Sequence, residues 1–414
     1  MLINKERLME RLNTLAEYGK NVHGGMDRPF GSEADINARK WLIYLWGKQL
    51  NFKVKIDAIG NLWAGLAGTE NLPALVLGSH HDTVANGGKY DGALGVILAT
   101  EVLNIIKENN YKLRHPLKLV SFTAEEPNMF NLSTLGSRVA SGKLIKDDIK
   151  GAKGDYGITL GEALKKVGGS IENLQDAKIS KEDMSAFIEC HIEQGRRLFD
   201  KNLSLAVVPK VTGIYREKVK IIGEPNHAGT TVMSCRHDAL IAASQLCLEF
   251  EKIIKDIHRD DVVGTVGHIE VKPNSINIIP GEVDTILEFR TPDFNDVEII
   301  YANINNAISF IENKRGVKII SETMLKQREV IMDKAIISTL KRAMTKMDET
   351  NIELVSMAGH DAVHMSSLTK TAMLFVASVN GKSHCADEFT EEMDIIKAAN
   401  VLLETILILD KELD

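Results

Sequence analysis

Hydrophobic and polar positions along the chain alternate between two periods. Residues 8–18 carry Leu and Ala at helical spacing. Ser32-Glu33-Ala34-Asp35 resembles a capping box and predicts a helix through about residue 50, with Leu42, Leu45 and Trp46 on its apolar side. Residues 52–56 then alternate as a strand does. Gly60-Asn61 turns the chain, and residues 62–66 return as the hairpin partner. Leu75 to Leu77 reads as a buried strand, residues 93–108 as a helix and residues 117–122 as another apolar strand. Strand, helix, strand in succession predicts an α/β fold with a mainly parallel sheet and flanking crossover helices. Residues 143–179 are charged and dotted with Gly, which predicts short surface helices.

The pattern changes near Val207-Val208-Pro209. Strands are expected at 217–222, 262–271, 281–290 and near Val317, with helices at 236–257 and 296–312. That order, strand–helix–strand–strand–helix–strand, predicts an inserted α+β domain of ferredoxin-like type over residues 209–327. Residues 1–208 and 328–414 form the other domain, to which the helices after Ile331 and the apolar run 372–379 return.

Composition narrows the classes. A chain of 414 residues with 44% hydrophobic content buries a full core and suggests more than one domain. A formal charge of −7 with interspersed signs offers no basic stripe for nucleic acid. No apolar stretch reaches the ~20 residues that span a bilayer. The N-terminus is a charged amphipathic segment without a secretion signal's apolar centre. Cys190, Cys235, Cys247 and Cys385 show no CxxC spacing, so reduced thiols in a cytoplasmic protein are expected.

The candidate chemistry gathers at the ends of the predicted strands. After Leu75 to Leu77 come Gly78-Ser79 and then His80-His81-Asp82. Alternation puts His80 and Asp82 on one side and His81 on the other. An imidazole that binds metal commonly gives its second nitrogen to a carboxylate, and Asp82 has that spacing from His80. Asp91 follows the Gly87-Gly88 loop. The strand at 117–122 ends in Thr123-Ala124-Glu125-Glu126, and open α/β sheets place chemistry beyond the carboxyl ends of their strands. Phe187-Ile188-Glu189-Cys190-His191-Ile192-Glu193-Gln194-Gly195 and Gly381-Lys382-Ser383-His384 complete the set. His80, Asp91, Glu126, His191 and His384 together suit two divalent metals bridged by one carboxylate.

These motifs in this order (HxD, GGxYDG, EE, HIEQG, HAGTT and GxSH) resemble the metal-dependent amidohydrolases of the M20 peptidase superfamily. The similar branch holds N-carbamoyl-L-amino acid hydrolases, β-ureidopropionases and allantoate amidohydrolases, and the match runs from about Arg28 to Glu388. The resemblance implies two divalent ions per subunit, with zinc expected and manganese or cobalt as alternatives. His80, Asp91 and His191 would hold one ion. Asp91, Glu126 and His384 would hold the other, and Glu125 would be the general base. It also implies that His227 of Asn226-His227-Ala228-Gly229-Thr230-Thr231 stabilises an oxyanion, while Asn277 and Arg290 hold the substrate's carboxylate. Gln194 would contact substrate, and His360 of Gly359-His360-Asp361-Ala362 would line the site. The inserted domain would act as a lid and as a homodimer contact.

Two places depart from the family pattern. Pro127-Asn128-Met129 follows the paired glutamates, and Ser356-Met357 stands where the family has Ser-Gly. The expected activity is hydrolysis of a linear C–N bond in a small N-carbamoyl or N-acyl L-amino acid or allantoate. Neither nucleic acid nor membrane is expected as a partner. A dipeptidase or aminopeptidase of the same superfamily is the alternative within enzymes, and a non-catalytic relative that binds small carboxylates is the alternative outside them.

Overall fold

The computed structural model describes residues 2–413. Its strands are β1 Lys53–Ile56, β2 Leu62–Leu66, β3 Ala74–His80, β4 Leu117–Phe122, β5 Met184–Ile192, β6 Leu205–Val208, β7 Lys210–Val211, β8 Gly213–Ile222, β9 Val263–Lys272, β10 Glu282–Thr291, β11 Lys318–Gln327, β12 Val330–Ile331 and β13 Lys370–Val376. They fall into two compact units, one of residues 1–209, 332–354 and 359–414, the other of 210–331 and 355–358.

The larger unit is α/β. Its sheet has the order β1-β2-β4-β3-β5-β13-β6. The four central strands β4, β3, β5 and β13 are mutually parallel, and antiparallel pairings close both margins. Every residue of β3 is buried, as expected for a strand covered on both faces. The crossover helix Ala93–Glu108 is buried from Ala93 through Ile106. Its one buried carboxylate, Glu101, accepts from Arg7 and Arg11 of the helix Lys5–Ala16, which fastens the N-terminal helix to the core.

The helix expected to run from Ser32 to about residue 50 is Glu33–Tyr44, continued by a π-helical turn Leu45–Gln49 that buries Leu45 and Trp46. Ser32 Oγ accepts from Asp35 N (3.1 Å), but Asp35 turns its carboxylate to Gly31 N (2.8 Å) and to Arg39 Nε (2.8 Å). The cap is therefore one-way, and Asp35 is spent on a buried network instead. Residues 143–179 also differ from expectation. Helices Lys146–Ile149 and Leu160–Lys166 are present, yet Leu144, Ile149, Leu160, Leu164 and Leu174 are buried with Phe30, Ile59 and Phe130 in a second core. Elements this short leave too few turns for an apolar period to show.

The smaller unit has the order β8, helix Ala239–Lys255, β9, β10, helix Phe294–Arg315, β11, around an antiparallel sheet β11-β8-β10-β9. That is the ferredoxin-like arrangement. Alternate residues of β8 and β10, among them Tyr215, Val219, Val283, Leu287 and Phe289, pack with Leu246, Phe250, Ile300 and Ile304 of the two helices. The unit extends past the expected residue 327. Val330 and Ile331 pair with Val211 and Lys210, while Ser356 N donates to Lys210 O (2.9 Å) and Thr212 N to Ser356 O (2.9 Å). Among the described residues no helix is long and apolar enough to cross a membrane.

Candidate active site

The ends of β3, β4 and β5, with the loop after β13, carry the cluster. His80 is the last residue of β3 and His191 lies one from the end of β5. Their rings sit 5.8 Å apart. Asp91 stands between them and His384. Its Oδ1 lies 2.9 Å from His191 Nε2 and 3.7 Å from His80 Nε2, and its Oδ2 lies 3.1 Å from His384 Nε2. Glu126 Oε1 is 3.2 Å from the same His384 nitrogen. One donor atom each from His80, Asp91 and His191 falls within 4.8 Å of the others, and the same holds for Asp91, Glu126 and His384. The five residues named from the sequence thus meet in two triads that share Asp91 through its separate oxygens.

The orientation of the rings follows from the backbone. His80 Nδ1 bonds to Asp82 O (3.0 Å) and His191 Nδ1 to Ile192 O (2.9 Å), so each Nδ1 is the donor and Nε2 is the nitrogen turned inward. The carboxylate of Asp82 does not hold His80 as its spacing suggested. It stands 3.7 Å from Nδ1 and accepts instead from Glu125 N (3.2 Å) and Glu126 N (3.1 Å), fixing the segment that carries both glutamates. The strand ends at His80, so the alternation that put Asp82 beside it no longer applies. Gly92 sits at φ +63°, and a Cβ there would lie 2.3 Å from the His80 ring, so only glycine fits under that imidazole. Ala124, Gln194 and His384 have φ of 53°, 58° and 55°. Such backbone in non-glycine residues is held at a cost by its surroundings and gathers at functional sites.

The donors fit divalent cations. Imidazole nitrogens and carboxylate oxygens are the ligand types of zinc and related ions. Asp91 Oδ1 is buried without a conventional hydrogen-bond partner among the described residues, and His191 Nε2 stands 2.9 Å from it. No Lys or Arg pairs with Asp91, Glu125 or Glu126 among the described residues, and the charges facing them are imidazoles. Burial would raise Asp91, but His191 and His384 hold it well below the usual carboxylate range. Burial would likewise lower His191, and Asp91 lifts it to about 9. Bonds to Asp91 and Glu126 lift His384 to about 10. Ligand sets of imidazoles and carboxylates release protons when metal binds.

Glu125 Oε2 lies 3.8 Å from His80 Nε2, and burial, followed by the neighbouring Glu126, pushes its carboxyl well above the usual range. Gln194 Nε2 donates to Asp91 Oδ2 (2.7 Å), and its buried Oε1 has no partner among the described residues. His360 is buried edge-on against His191, with centroids 4.6 Å apart. Asn128, within the stretch that departs from the family pattern, bonds through its side chain to Glu126 O, Leu132 O and Phe130 N, and Met129 packs on the second core.

His227, Asn277 and Arg290 lie on the smaller unit. His227 is exposed, and its Nδ1 accepts from Gly229 N (3.0 Å) and Thr230 N (3.2 Å), which leaves the proton on Nε2. Ala228 N donates to Asn277 O (2.9 Å), bringing those two loops together. Arg290 donates from Nε and Nη2 to Glu288 Oε1 (3.0 and 2.9 Å) and from Nη1 to Met357 O (2.7 Å).

Sequence reasoning passed over three groups. Glu189 on β5 is buried, with Ser79 Oγ and Ala362 N donating to it (both 2.8 Å). Ser383 and Glu388 reach Asp91 from a stretch nearly three hundred residues away. Glu189, two residues before His191, and Ser383, beside His384, both stood in quoted stretches, whereas Glu388 did not.

The model of peptidase family M20/M25/M40 matches residues 76–408. The chain belongs to that family. An N-carbamoyl-L-amino-acid amidohydrolase of Pseudomonas sp. (strain NS671) is 34% identical over 98% of both chains. An allantoate amidohydrolase of Bacillus subtilis is 32% identical over 93% of both. An amidase of the hydantoinase/carbamoylase family from Burkholderia multivorans superposes with a TM-score of 0.90 at 30% identity, covering 98% of each chain. These similarities place the chain on the amidohydrolase branch of the M20 family, whose members use divalent metals.

Proposed function

We propose that this M20 hydrolase cleaves the linear C–N bond of an N-carbamoyl L-amino acid or a related ureido acid such as allantoate. Two divalent ions, zinc in our reading, would be held by His80, Asp91 and His191 and by Asp91, Glu126 and His384. The observation that carries this is the pair of triads sharing Asp91. It is supported by whole-length similarity to amidohydrolases acting on carbon–nitrogen bonds other than peptide bonds.

Bound ions supply Lewis-acid polarisation of the scissile carbonyl and lower the pKa of water. Glu125 takes a proton from the water that attacks the carbonyl carbon. As the C–N bond breaks it returns that proton to the leaving nitrogen, which departs as the free amino acid. Asp82 holds Glu125 and Glu126 in register through their amides. His227, with its proton on Nε2, is suited to donate to the developing oxyanion. Arg290, oriented by Glu288, and Asn277 hold the substrate's carboxylate, and an Arg fork fixes direction as well as charge. Gln194 contacts substrate beside Asp91. The reading includes a homodimer formed through the smaller unit. It also places the protein in the cytoplasm, in keeping with four free cysteines.

The test is a panel of N-carbamoyl, N-formyl and N-acetyl amino acids, allantoate and dipeptides, assayed with protein loaded with zinc, manganese or cobalt. Ureido substrates should exceed dipeptides by about a hundredfold or more in kcat/KM. Dipeptides turned over faster than every ureido or acyl compound would overturn the assignment.

A further inference from the structure

One buried carboxylate outside both triads ties them together. Glu388 Oε1 accepts from Tyr90 N (2.8 Å) and from Asp91 N (3.0 Å). Its Oε2 lies 3.0 Å from Ser383 Oγ, which is itself 3.1 Å from Asp91 Oδ2. Glu388 therefore grips the main chain of the shared carboxylate and, through Ser383, the residue next to His384. The fit is close on the other side as well. Gly88 faces the Glu388 carboxyl so tightly that a Cβ would lie 2.0 Å from Cδ and from Oε1. Gly88 does not have the positive φ that would itself demand glycine, so that contact is a separate reason for its lack of a side chain.

We infer that Glu388 is a positioning residue that fixes Asp91 and the His384 loop in one frame, and so sets the affinity of the site formed by Asp91, Glu126 and His384. What it supplies is an acceptor at a fixed place for two backbone N–H groups. Partners that orient metal ligands from behind commonly change affinity by about 10- to 100-fold when lost. The inference rests on the metal reading above and adds a residue to it.

Gly88→Ala separates placement from chemistry, because it removes no polar atom yet displaces the Glu388 carboxyl. Zinc affinity of each site is read by competition with a chromophoric chelator, on protein shown by circular dichroism to be folded. Gly88→Ala should weaken the ion that Glu126→Ala removes by about tenfold or more. Glu388→Gln keeps a carbonyl oxygen for the two N–H groups and should stay within roughly threefold of the native protein. If Gly88→Ala does not fold, Glu388→Asp withdraws the carboxylate by one methylene and should show the same loss. Native affinity in the displaced variant, or a loss in Glu388→Gln as large as that in Gly88→Ala, would overturn the inference while leaving the metal reading intact. A native chain that binds no zinc would instead remove the metal reading, and this inference with it.

Discussion

His80 and His81 are neighbours in the chain, equally buried, and each bonds through Nδ1. They differ in what the second nitrogen meets. His81 Nε2 is 2.9 Å from Asp35 Oδ1 and its Nδ1 is 2.6 Å from Ser121 Oγ, so both nitrogens are satisfied inside the fold. His80 gives Nδ1 to a main-chain carbonyl and turns Nε2 toward Asp91 and Glu125. By distance alone Ser121, His81 and Asp35 would pass for a hydrolytic triad. All three are fully buried, so no substrate reaches that serine. A reactive constellation is marked by a nitrogen left facing other ligands, and a structural one by having none left over.

That contrast can be broken most severely at Glu125, whose Oε2 lies 3.8 Å from His80 Nε2. Glu125→Gln keeps both triads, and kcat should fall by about a thousandfold with metal content unchanged. A variant at native speed would sink the base assignment. The two histidines themselves give the next largest effects, in opposite readouts. His80→Ala should cost one bound ion. His81→Ala should keep both ions and lower the unfolding free energy by about 3 kcal/mol, because Asp35 and Ser121 each lose a buried partner. Urea titration alongside metal analysis distinguishes these outcomes.

A smaller effect is the dependence of stability on pH. Burial lowers His81 to about 4 in the folded chain. The unfolded chain, near 6.5, takes up the proton first as pH falls, so this imidazole makes the protein less stable from about pH 6.5 down to about pH 4. Its share should be about 3 kcal/mol. Burial opposes ionisation of Asp35, but Arg39 and His81 hold it below the ordinary range, so its contribution is lost only at still lower pH. His81→Gln should flatten the upper part of the curve, and an unchanged slope in urea midpoints would contradict the assignment.

Much of this was legible in the sequence because the signals were local. Apolar runs at 75–77 and 117–122 marked strands whose ends carry the chemistry. Asp82 misled because alternation holds only while a strand lasts, and β3 stops at His80. Glu388 left no trace, since its role comes from a loop packing against Asp91 across 297 residues. Met129 read as a change beside the chemistry, yet its side chain packs on the second core, whose elements are too short to reveal their period. What sequence order hides is long-range contact between loops.

The central claim is that Asp91 serves two ions at once through its separate oxygens, and metal stoichiometry by plasma mass spectrometry tests it most directly. Native protein should carry two divalent ions per chain, Glu126→Ala one, and Asp91→Ala none. If Asp91→Ala retains as many ions as Glu126→Ala, the two triads do not share that carboxylate and the account fails.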